Sequence, residues 1–221
     1  MRTLAIDTAQ SACSIALFEG DRLLAHDHRV LGRGHAEELV PMIARLPEKG
    51  RADRILVSLG PGSFTGVRIG LATARALGVA WQVPVLGYPT LALIAAMAQA
   101  RHEARPVTVC TNGGHGEWFV QWFDAQGLPQ ADALSLTPAG AVHHGHETLV
   151  AGNRAQELLE EGLEEAPAAA SNQTIAMDLL PDAASALLVP ESLLAPAASP
   201  IYGRAPDAKV QIPANTARTA P

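Results

Sequence analysis

The run Ser58-Leu-Gly-Pro-Gly-Ser-Phe-Thr-Gly-Val-Arg-Ile-Gly70 constrains this chain more than any other stretch. It lies between Ile55-Leu56-Val57, which reads as a buried strand, and Leu71 to Ala80, which reads as a helix. Glycines at 60, 62, 66 and 70, with Pro61, demand a backbone that reaches positive φ or approaches another group closely. Ser63 and Thr65 can each cap the helix that follows. Strand-to-helix turns of this kind cradle phosphate on free N–H groups, yet no lysine stands where a P-loop needs one. Gly60, Gly62, Ser63, Thr65 and Gly66 thus define a loop without defining its ligand.

Upstream, Thr3 to Phe18 reads as two strands joined by a polar turn at Asp7 to Ser11, and Arg22 to Arg29 as a third. This is an antiparallel meander. A helix follows His35, with Leu39, Ile43 and Leu46 at helical spacing and Val40 and Met42 widening the stripe; Pro41 fits only near its first turn or as a kink. Val83 to Gly87 predicts a short strand and Leu91 to Arg101 a helix. Strands then restart at Pro106–Cys110 and Glu117–Phe123, with a turn at Gly127-Leu-Pro129. The order predicts an α/β chain of two lobes, 1–103 and 104–221, the second ending in two short helices and a loose tail from Pro206.

With 48% hydrophobic residues and a mean hydropathy of +0.12 over 221 residues, the chain is globular in composition. No apolar run reaches the ~18 residues of a membrane span, and the strand-like start predicts no signal peptide, so a cytoplasmic protein is expected. Cys13 and Cys110 sit in strand-like runs and read as buried reduced thiols. Residues 1–102 carry a net charge of +3 and 103–221 a net −9. Nucleic acid would therefore meet the first half or a partner.

Several candidate sites have plainer alternatives. Asp7-Thr8, with Ser11, could hold magnesium and phosphate at a sheet edge, or form only an Asx-type turn; Ala9-Gln10-Ser11 lacks the glycines of a nucleotide-binding meander. His143, His144 and His146 lack Cys, Asp or Glu at ligand spacing and read as a solvated loop. His35-Ala-Glu-Glu38 has the start of a zinc-protease helix, but position 39 is leucine. Gly66, Gly70, Ala74 and Gly78 recur every four residues and make a flat helix face, open to sheet packing or to a helix of another subunit.

Ile-Asp-Thr-Ala (6–9), His-Ala-Glu-Glu-Leu-Val-Pro (35–41), the loop at 59–70 and Pro-Asp-Ala-Lys (206–209) closely resemble the TsaB (YeaZ) family. The resemblance is dense over residues 1–100 and thin afterwards. It implies the two-lobed actin/Hsp70/sugar-kinase (ASKHA) fold, with a mixed sheet and a smaller, degenerate second lobe. It also implies a part in making threonylcarbamoyladenosine in tRNA, as the non-catalytic partner of the metal-dependent transferase TsaD, joined by the ATPase TsaE. Membrane has no part in it, and tRNA is met only through the complex. Thr90 and Ile94 stand where TsaD carries its metal histidines, so no metal and no catalytic residue are expected here. No cofactor is expected for the chain alone, with ATP or ADP left open at the seam between subunits. In the family the first two long helices form the contact and can self-pair. This implies Leu39, Met42, Ile43, Leu46, Val67, Gly70, Leu71, Ala74 and Gly78 as contacts, with His35 and Arg68 as a polar rim. At Thr111-Asn-Gly-Gly-His-Gly-Glu-Trp118 the family's glutamate and aromatic are kept, and its Asp-Ala-Arg opening is not. The competing reading is an enzyme in its own right, a metallopeptidase or an ATPase.

Overall fold

The computed structural model describes residues 1–165, 174–197 and 199–203. Strands β1 (Arg2–Asp7), β2 (Ala12–Glu19) and β3 (Arg22–Val30) form the meander. Next come helix α1 (His35–Arg45), β4 (Arg54–Ser58), α2 (Phe64–Trp81), β5 (Val85–Tyr88) and α3 (Thr90–Gln99). The second lobe holds β6 (Val107–Gly114), β7 (Glu117–Phe123), β8 (Leu134–Leu136), α4 (Pro138–His144), β9 (Leu149–Ala151), α5 (Ala155–Glu165) and β10 (Ile175–Met177). Two 3-10 turns at Ala183–Leu188 and Glu191–Leu193, and a two-residue strand β11 (Ala195–Pro196), follow.

The first sheet runs β11-β5-β4-β1-β2-β3 and the second β10-β9-β6-β7-β8. Without β11 the two orders are one pattern used twice. In each, two antiparallel pairs build a meander whose first strand also pairs in parallel with the strand after a helix. This is the duplicated α/β architecture of the actin and sugar-kinase fold. The second copy is the smaller, with three strands of three residues each.

Strand alternation sorts the core into layers. Leu4, Ile6, Ile15, Leu17, Ile55 and Val57 meet Leu39, Met42, Ile43, Leu71 and Ala74 of α1 and α2 on one side of the first sheet. Ala5, Ala16, Leu56 and Tyr88 face the other way, onto α3, whose far side meets Val107, Val109, Phe119 and Phe123. Helix α3 is buried at every position from Thr90 to Ala98, as its unbroken apolar run requires. Outside the second sheet, Cys110, Trp118, Val120 and Val150 pack on Ala141 of α4 and Ala155 and Leu158 of α5.

Several expectations need correction. A lobe of 104–221 does not close on itself, because β11 returns to pair with β5 of the first sheet. Pro41 lies inside α1 rather than in its first turn; it is exposed, as is Glu37, whose carbonyl it deprives of a partner. His143 and His144 end helix α4 rather than sitting in a loop with His146. Pro-Asp-Ala-Lys (206–209) and the tail lie outside the described residues. Among those residues, no helix is long and apolar enough to cross a membrane.

Candidate functional site

The β1–β2 turn and the β6–β7 hairpin occupy equivalent places in the two copies, and they face each other across a cavity of about 720 Å³ between the lobes. Gln10 and Ser11 line it from one side, Asn112 to His115 from the other, and Gly62 to Phe64 with Arg68 close a third wall. Ile201 to Gly203 form the remaining wall, anchored where Ile201 N–H donates to the Leu59 carbonyl.

The meander turn is built for internal bonding. Asp7 is buried, its Oδ1 accepting from Ala9 N–H at 2.9 Å, and the Tyr88 hydroxyl lies 3.2 Å from its Oδ2. Asp7 thus forms the Asx-type turn, with its carboxyl enclosed. Burial pushes Asp7 up to about 7 and holds Tyr88 well above its ordinary value. Thr8 Oγ1 donates to the Gly66 carbonyl at 2.7 Å. Of the three residues proposed for a nucleotide turn, only Ser11 reaches the cavity.

The glycine loop approaches the protein's own backbone. A Cβ on Gly62 would stand 2.1 Å from the Ala9 carbonyl oxygen, and one on Gly66 2.1 Å from that of Thr8. Ser63 N–H donates to the same Ala9 carbonyl at 2.7 Å. Ser63 caps α2, accepting from Gly66 N–H, whereas Thr65 lies exposed within the first turn and caps nothing. Among the loop residues singled out from sequence, Gly62 and Ser63 line the cavity, while Gly60, Thr65 and Gly66 do not.

The contact residues expected on α1 and α2 are displaced inward. Leu39, Met42, Ile43, Leu46, Val67, Leu71 and Ala74 are at most 6% exposed, and they form the first lobe's own core or its contact with the glycine loop. The flat face is a sheet-packing face: a Cβ on Gly70 would meet Thr8 Oγ1, and one on Gly78 would meet Val85. His35 is buried rather than a rim residue; its Nε2–H donates to the Gln10 and Ala12 carbonyls at 3.0 and 3.2 Å. Arg68 is exposed, its guanidinium 3.5 Å from the Phe64 ring centroid and donating to the Tyr202 hydroxyl at 2.9 Å. The apolar residues that the helices leave outside include Ala36, Val40 and Ala44 on α1 and Ala72, Ala76, Val79 and Ala80 on α2, beside the charged Glu37, Arg45 and Arg75.

Thr90 lies at the start of α3, its hydroxyl paired with Ser58 Oγ and its N–H donating to the Gly60 carbonyl, and Ile94 lies wholly in the core. Neither faces a site. The aromatic clamp of Phe64, Arg68 and Tyr202 escaped the sequence, although Phe64-x-x-x-Arg68, one helical turn apart, was its visible half.

The chain superposes on YeaZ from Pseudomonas aeruginosa with a TM-score of 0.71 at 28% identity, over 91% of this chain and 99% of that one. It is 33% identical to the tRNA threonylcarbamoyladenosine biosynthesis protein TsaB of Escherichia coli over 153 residues, 67% of this chain and 61% of that protein. The chain belongs to the TsaB/YeaZ family. A second family member, the TsaB of Bacillus subtilis, is 33% identical over 109 residues, 46% of each chain. The matches to the Escherichia coli protein and its next two relatives span 51–61% of their lengths. Residues 29–135 also match the family model described as TsaD, the tRNA N6-adenosine threonylcarbamoyltransferase. That match runs from the end of β3 through α3 into β8, so it includes Thr90 and Ile94.

Proposed function

We propose that this chain is a non-catalytic subunit in the making of N6-threonylcarbamoyladenosine in tRNA, and that it binds and activates a TsaD-like transferase in the cytoplasm. The reading rests on the pair Thr90 and Ile94, which the resemblance places where TsaD holds its metal histidines. A buried isoleucine cannot ligate a metal, and the threonine hydroxyl is engaged with Ser58. The docking surface is the outer face of α1 and α2, where Val40 and Val79 are 58% and 80% exposed among small residues. Two copies can pair through the same face when the transferase is absent. A TsaE-like ATPase joins the pair, and tRNA is met only through the complex.

The TsaD-model match supports the competing reading of an enzyme in its own right. The enclosed Asp7 speaks against an ATPase of the family's fold, and Ile94 against a metallopeptidase. Reconstitution decides between them. A TsaD-like preparation inactive alone should modify tRNA once this chain and a TsaE-like protein are added. Modification by the purified chain alone, or none of it depending on the chain, overturns the proposal.

A further inference from the structure

The cavity between the lobes goes unused in that reading, and its walls have a chemistry of their own. At about 720 Å³ it lies in the range of small-molecule sites, roughly 300–1,000 Å³. Among the described residues no carboxylate lines it. Arg68 stands on its wall without an ion pair to any described residue. One face of its guanidinium is covered by Phe64, and one N–H is given to the neutral Tyr202 hydroxyl. A cation stacked on one aromatic ring keeps its charge and its remaining donors for a ligand. The N-terminus of α2 opens on the same wall, its dipole adding positive potential there.

Gln10 supplies an independent sign of a ligand. It is 6% exposed and bridges the lobes, its amide bonded at 3.4 Å to Thr111 Oγ1 alone. Whichever way the amide is turned, one of its ends has no side-chain hydrogen bond among the described residues, and Gln10 borders the cavity. Around these polar groups Val67, Phe119, Ile201 and Tyr202 offer apolar and aromatic surface.

We propose that the cavity between the lobes binds a small organic anion. Its carboxylate or phosphate meets Arg68 and the start of α2, and its aromatic or apolar body lies between the lobes with a polar group against Gln10. Because the walls come from both lobes, the bound molecule fixes their relative position.

The probes are hippurate, a carboxylate on an aromatic amide, and phenyl phosphate, titrated by calorimetry into the full chain. The amides of Gly113, Gly114 and His115 are followed by NMR. At least one probe is expected to saturate with Kd below about 1 mM, and the tighter of the two names the anionic group. Arg68→Gln, at an exposed helix position, and Gln10→Glu, isosteric but negative, should each weaken it about tenfold or more. Circular dichroism checks that both variants fold, and either one that does suffices. No saturation by either probe up to about 10 mM, or equal affinity in a folded variant, overturns the proposal.

Discussion

The Tyr88 hydroxyl oxygen lies 3.1 Å from the Ile6 carbonyl oxygen and 3.2 Å from Asp7 Oδ2. One phenolic proton cannot serve both acceptors. A neutral Asp7 resolves the conflict, donating to the phenol oxygen while the phenol donates to Ile6. Burial supports that form by pushing Asp7 from 3.8 up to about 7. Between those values the folded chain holds a proton that the unfolded chain has released. Stability is therefore fully present below about pH 4 and falls as pH rises through 7, by about 4 kcal/mol across the window. Asp7→Asn keeps an acceptor for Ala9 N–H, offers a donor to Tyr88 and should flatten this slope. Urea unfolding at pH 5 and pH 8 measures it; parallel profiles for the two proteins would refute it.

The two faces of α2 should respond in opposite ways. Ala74→Trp forces a large ring into a position with no exposure, and the loss of the folded monomer is expected by circular dichroism. Val79→Asp and Val40→Asp leave the core untouched and should fold normally, yet abolish co-purification with a TsaD-like subunit. Retained pairing in both outer-face variants would remove the docking assignment.

Gly62→Ala should cost about 2 kcal/mol or more, because the Ala9 carbonyl that a Cβ would strike also accepts the Ser63 N–H. A urea midpoint unchanged from the parent would show that the loop yields without penalty.

Cys13 and Cys110 are fully buried, and burial pushes both thiols up to about 12. Neither should react with a disulfide reagent at neutral pH in the native chain, while both react once guanidinium unfolds it. Rapid labelling of the folded protein contradicts this.

Residues 55 to 81 were legible as strand, loop and helix because each local signal agreed: an apolar run, clustered glycines, a serine cap and a 3.6-residue stripe. Helix α3 was equally plain from its unbroken apolar stretch. The inward direction of the small face was not legible, since spacing alone does not distinguish a sheet from a second helix as its neighbour. For the same reason Leu39 and Ile43 looked like contacts with a partner when they belong to the first lobe's own core. Strand β11 carries two residues, one of them proline, and no periodicity could announce it. The cavity depends on Gln10 meeting Thr111 across 101 positions, a pairing that only the folded chain reveals.

Strand β11 has a consequence for synthesis. The first lobe has its meander, helices and parallel strands between residues 2 and 99, yet the outer edge of β5 stays bare until residues 195 and 196 appear. From residue 88 until residue 195 is made, a short apolar edge is open to whatever extended segment lies nearby. The nascent chain closes its opening lobe with nearly its last described residues, and a ribosome stalled before them would hold that lobe unsealed.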